Sequence, residues 1–143
     1  MSELVMERVF AADVETVFAF LTDTEHLLKW WGPEGVHIGA HDLDLSRPGQ
    51  WSSTMVNAEG NKFKVSGKVV RSDPPKSVEF TWGWHDEKDQ RGHESRVRFN
   101  VEPNVGGGAR FVLTHSDLPD DESRNNHNEG WTSSLRKLER LDT

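Results

Sequence analysis

The chain contains no cysteine and no tyrosine. The missing thiols exclude disulfide scaffolds, thiolate zinc sites, iron–sulfur clusters and cysteine nucleophiles together. No run approaches the roughly 18 apolar residues of a membrane span, and Met1-Ser2-Glu3-Leu4-Val5-Met6-Glu7-Arg8 has neither a basic n-region nor an apolar core. A soluble, cytoplasmic protein without a membrane partner is expected. Basic residues are in the minority, 17 Lys and Arg against 24 Asp and Glu for a net charge of −7. The densest charged stretches, Asp86 to Glu94 and Asp117 to Arg124, are mixed or acidic, so a nucleic-acid partner is not expected. Nor is there a Gly-x-Ser-x-Gly elbow, a P-loop or a dinucleotide fingerprint. The Gly106-Gly107-Gly108 run lacks the strand-to-helix context that cradles phosphate.

What is abundant is tryptophan: six Trp beside seven Phe in 143 residues. That length suits one domain with its own core, and residues 1–143 are read as a single unit without repeats or linkers. Residues 4–10 are rich in β-formers. Val14, Val17, Phe18 and Leu21 then fall on one helical face, with Asp13 as N-cap. Thr22 and Glu25 have capping-box spacing for a second short helix that ends by Trp31-Gly32-Pro33.

From Val36 to His115 the pattern has period two. Trp51, Ser53 and Met55 alternate with polar neighbours, as do Phe63, Val65, Gly67 and Val69. Val78, Phe80, Trp82 and Trp84 form the strongest one-faced strand, followed by Val97, Phe99 and Val101, then Ala109, Phe111, Leu113 and His115. After Leu118-Pro119 the period changes again, with Trp131, Leu135 and Leu138 at helical spacing, and Asp117 to Glu122 complementing the positive end of that helix. The order predicts an α+β domain: a curved antiparallel sheet of about six to seven strands covered by one long C-terminal helix, with two short helices after the first strand.

These residues also carry a family resemblance. Ala12-Asp13-x-Glu15-x-Val17-Phe18, Thr22-Asp23-x-Glu25-His26-Leu27 and Trp30-Trp31-Gly32-Pro33 form one group. Pro48-Gly49-x-Trp51, Gly67-Lys68-Val69-Val70 and Val78-Glu79-Phe80-Thr81-Trp82 form a second. Leu113-Thr114-His115-Ser116 and His127-x-x-Gly130-Trp131-x-x-x-Leu135-x-x-Leu138 complete the set. Together they resemble the heat-shock-protein-90 ATPase activator homologue-like family of the START-like (SRPBCC, Bet v 1-like) superfamily. Gly49-Gln50 departs from the glycine pair usual before the aromatic. The resemblance implies a helix-grip fold with a cavity between sheet and helix for a hydrophobic or aromatic small molecule. It implies no single activity.

The candidate ligand-binding residues are Trp30, Trp31, Trp51, Met55, Phe63, Phe80, Trp82, Trp84, Phe111, Trp131 and Leu135. For each, the plainer alternative is ordinary core. Pro33 pushes Gly32 out of helical geometry, so the tandem Trp30-Trp31 should splay, one inward and one toward the cavity mouth or solvent. His37 and His41 lie about 13 Å apart on one strand, too far to share a metal. His115 and His127 are expected to converge near the cavity opening, with Ser116, Asp117 or Glu129 to orient an imidazole; they are the only, weak, acid–base candidates. No catalytic residue, metal or cofactor is assigned. Three functions remain open: a non-enzymatic binder of a hydrophobic or aromatic small molecule, a co-chaperone or protein-interaction module, and a cyclase- or hydrolase-like enzyme using those histidines. Edge strands and exposed Trp also suggest a homodimer.

Overall fold

The computed structural model describes residues 1–141. Strand β1 (Ser2–Phe10) leads into helices α1 (Val14–Thr22) and α2 (Thr24–Trp30). Six further strands follow: β2 (His37–Asp42), β3 (Gly49–Val56), β4 (Lys62–Asp73), β5 (Ser77–His85), β6 (Arg91–Pro103) and β7 (Ala109–Leu118). Helix α3 (Asp121–Arg140) ends the described chain. All seven strands form one antiparallel sheet, ordered β1-β7-β6-β5-β4-β3-β2, so β1 and β2 are its edges. This is the helix-grip architecture expected from the alternation of periods. No helix among the described residues is long and apolar enough to cross a membrane.

Period two sorts the sheet into two faces. Trp51, Ser53 and Met55 on β3, Val78, Phe80 and Trp82 on β5, and Val97, Phe99 and Val101 on β6 are buried beneath α3. The helix answers with Trp131, Ser134, Leu135 and Leu138. Its start is set by Asp120, whose carboxylate accepts from the Ser123 N–H at 2.8 Å. Acidic Asp121 and Glu122 occupy the first turn and basic Lys137 and Arg140 the last.

Asp13 caps α1, as expected, accepting from the Thr16 N–H at 2.8 Å. The capping box at Thr22 does not form. Thr22 is the last residue of α1, and its hydroxyl donates back to the Phe18 carbonyl, while Asp23 is the N-cap of α2. A hydroxyl satisfied inside its own helix is not free to cap the next one. Lys137, half-buried, then ties α3 to the turn after α2, its ammonium 3.4 Å from the carbonyls of Trp31 and Pro33.

Candidate ligand-binding cavity

A cavity of about 790 Å³ lies between the N-terminal half of α3 and one end of the sheet. Four indoles line it: Trp31 from the turn after α2, Trp82 and Trp84 from β5, and Trp131 from α3. Met55 and Phe63, register partners on β3 and β4, and Val36 complete the apolar wall. Ser123, Asn126 and His127 of α3, with Asn57 of the β3–β4 turn, supply polar groups. Gly32 lets the wall form: its φ of +87° reverses the chain after α2, a conformation that side chains rarely adopt.

The tandem tryptophans do splay, but both are buried. Trp30 turns into the core, where its N–H donates to the Phe20 carbonyl at 2.8 Å and its ring packs on Phe99. Trp31 turns to the sheet, donates to Ser53 Oγ at 2.9 Å and sits edge-on to both Trp51 and Trp131. Of the other proposed wall residues, Trp51, Phe80, Phe111 and Leu135 lie in the core beneath the cavity lining. Alternation identifies the buried face of a strand; curvature decides how far along it the cavity reaches. The polar rim of Asn57, Ser123 and Asn126 has only one trace in the sequence, the i, i+4 spacing of Ser123 and His127.

His115 and His127 converge, their rings 4.7 Å apart. Their partners are not the Ser116, Asp117 and Glu129 that proximity in sequence suggests. His127 lies within 2.7 Å of the Ser123 carbonyl through Nδ1, which must therefore carry the proton, and Nε2 accepts from the Trp84 N–H at 3.0 Å. His115 has the opposite tautomer. Its Nδ1 accepts from the Trp131 N–H at 3.0 Å, so Nε2–H donates to Ser95 Oγ at 2.7 Å, and that hydroxyl donates on to the Trp82 carbonyl. Burial, aided by His127, pushes the His115 imidazole down to about 3. Burial also lowers His127, against the opposing pull of the Ser123 carbonyl. Both rings are neutral at pH 7, with each nitrogen hydrogen-bonded inside the protein.

These bonds explain much of the tryptophan surplus. Trp30, Trp31, Trp51, Trp84 and Trp131 each donate the indole N–H to a named acceptor. Trp82 is the exception: its Nε1 is buried without a partner, and its ring lines the cavity. No cluster of His, Asp and Glu among the described residues is arranged to hold a metal, and the bulge between Ile38 and His41 breaks the regular spacing of His37 and His41.

The model of the Activator of Hsp90 ATPase homolog 1-like protein family matches residues 11–141. The crystal structure of the AHSA1 protein from Silicibacter pomeroyi is 55% identical, with a TM-score of 0.94 over 98% of this chain and 96% of that one. A Chromobacterium violaceum protein superposes at 0.85 with 23% identity, over 98% and 96% of the two chains. One from Nitrosomonas europaea reaches 0.78 with 25% identity, over 97% and 92%. No curated protein matches. The motifs spread from Asp13 to Leu138, the helix gripped by the sheet and the agreement over nearly the whole length lead to one conclusion: the chain belongs to the Activator of Hsp90 ATPase homolog 1-like family, within the SRPBCC superfamily.

Proposed function

We propose that this chain is a cytoplasmic binding protein for a planar, hydrophobic small molecule, held between the sheet and α3. The observation that carries this reading is the cavity of about 790 Å³ walled by Trp31, Trp82, Trp84 and Trp131. Its volume falls in the range of small-molecule sites, and flat rigid rings favour a flat apolar guest. Ser123, Asn126 and Asn57 give that guest a polar end. His115 and His127 act here as acceptors that orient the Trp131 and Trp84 walls, because their lone pairs are already engaged by indole N–H groups.

The test is intrinsic Trp fluorescence and thermal stability against aromatic metabolites, fatty acids and polyketide-like compounds. A true ligand quenches saturably and stabilises by about 2.7 kcal/mol at a hundredfold excess over Kd. Silence across the panel would overturn the reading in favour of a protein-interaction role.

A further inference from the structure

On the opposite face of the sheet from α3, three side chains lie in line. Ser66 Oγ lies 2.6 Å from His85 Nε2, and His85 Nδ1 faces the exposed Asp89, 3.4 Å from its backbone carbonyl and 2.8 Å from its carboxylate. Ser66 sits on β4 opposite Gly83, its register partner on β5, and His85 follows two residues later on the same face. Asp89 is delivered by the β5–β6 turn, where Asp89 adopts a left-handed backbone, φ +61°. Lys64, also on β4, holds the carboxylate ionised at 3.2 Å. The chemistry of the line is directional. The carbonyl and the carboxylate of Asp89 only accept, so the imidazole proton resides on Nδ1, Nε2 presents its lone pair, and Ser66 must donate to it.

The surroundings suit a reaction. His85 is largely shielded, with 12% of its side chain exposed. Ser66 and His85 line a cleft of about 370 Å³ with the cations Lys64, Lys68 and Arg91 and the carboxylates Asp42 and Glu94. Gly83 leaves room for the Arg91 guanidinium: a Cβ there would stand 2.6 Å from its central carbon. Arg91 therefore packs on β4, donating to the Ser66 backbone carbonyl at 3.0 Å and pairing with Glu94 at 2.9 Å. Lys68 makes no ion pair among the described residues.

We propose that Ser66, His85 and Asp89 form a second, esterolytic site on this face, specific for small carboxylic esters that carry a negative charge. Ser66 Oγ bonds to the ester carbonyl carbon as its proton passes to His85 Nε2. The oxyanion develops beside the Arg91 guanidinium, and Lys68 receives the anionic end of the substrate. The carbon–oxygen bond to the leaving alcohol breaks as His85 returns the proton to it. Water then adds to the acyl-Ser66, its proton again taken by His85. The bond to Oγ breaks, Oγ recovers the proton and the carboxylic acid departs. Ser66 and His85 are catalytic; Asp89 is a positioning residue that sets the tautomer.

A fluorophosphonate probe followed by peptide mass mapping tests the nucleophile. One adduct is expected, on Ser66, absent in Ser66→Ala and slowed at least about tenfold in His85→Gln. No adduct, or an adduct elsewhere with Ser66 untouched, overturns the proposal. Because the chain has no cysteine, Ser66→Cys introduces a unique thiol. Iodoacetamide should alkylate it at least about tenfold faster than in the Ser66→Cys/His85→Gln double variant, and equal rates overturn activation by His85. Nitrogen-15 NMR should find His85 protonated at Nδ1, with that tautomer lost in Asp89→Ala; a protonated Nε2 in the parent protein overturns the role of Asp89. 4-Nitrophenyl hemisuccinate should be hydrolysed faster than 4-nitrophenyl acetate, and the reverse order overturns the anionic substrate class.

Discussion

The indole N–H of Trp131, on α3, donates to Nδ1 of His115, on β7, across 3.0 Å in the buried core. This bond locks the closing helix to the sheet at the cavity floor, and it requires a neutral imidazole, since a protonated Nδ1 has no lone pair to offer. Stability should therefore depend on pH. The unfolded chain takes up a proton at an ordinary imidazole near pH 6.5, whereas folded His115 resists protonation down to about 3. Stability is then full above about pH 6.5 and is lost as the pH falls toward 3, with a slope approaching about 1.4 kcal/mol per unit. Urea unfolding midpoints across that window check this, and His115→Gln should flatten the dependence.

Trp131→Phe keeps most of the ring packing but leaves His115 Nδ1 buried without a donor. A cost of about 1–3 kcal/mol is expected. In a double-mutant cycle with His115→Leu the two losses should not add, because the second substitution removes the acceptor that the first left unsatisfied. Denaturant unfolding of the four proteins measures this, and strict additivity would show that the bond contributes nothing.

Trp82→Phe separates binding from folding. Its N–H has no partner in the protein, so replacing it should cost little beyond a small change in packing. A ligand packed on the cavity wall meets a smaller ring in the variant and should bind up to about tenfold more weakly. Paired fluorescence titrations and melting curves separate the two effects.

Gly67 leaves no room for a side chain. A Cβ there would stand 1.9 Å from the Thr81 carbonyl oxygen, where β4 and β5 close together. Gly67→Ala must push backbone rather than side chain, and a loss of about 2–3 kcal/mol is expected. Gly35→Ala, where a Cβ meets nothing within 4 Å, supplies a contrast limited to the strain of its φ of +86°. Thermal midpoints of the two variants should differ accordingly.

Much of the fold is written locally. The alternation through Val78, Phe80 and Trp82, the helical spacing of Trp131, Leu135 and Leu138, and the cap at Asp13 each specify an element from residues within a few positions of one another. Their order then leaves few ways to bury one face of a sheet under one helix. Site geometry is a different kind of quantity. That Trp51 and Phe80 sit beneath the cavity while Trp82 and Trp84 line it depends on sheet curvature, which no single strand encodes. That Ser95 and Trp131 engage His115, rather than its sequence neighbours, depends on the register of β6 with β7 and on where α3 lands. Likewise, strand pairing and a tight turn bring Ser66, His85 and Asp89 into line although Ser66 lies 19 residues before His85. Short-range steric and hydrophobic preferences act within a few residues and are legible in sequence; hydrogen bonds form at about 3 Å between atoms that only the packed chain brings together.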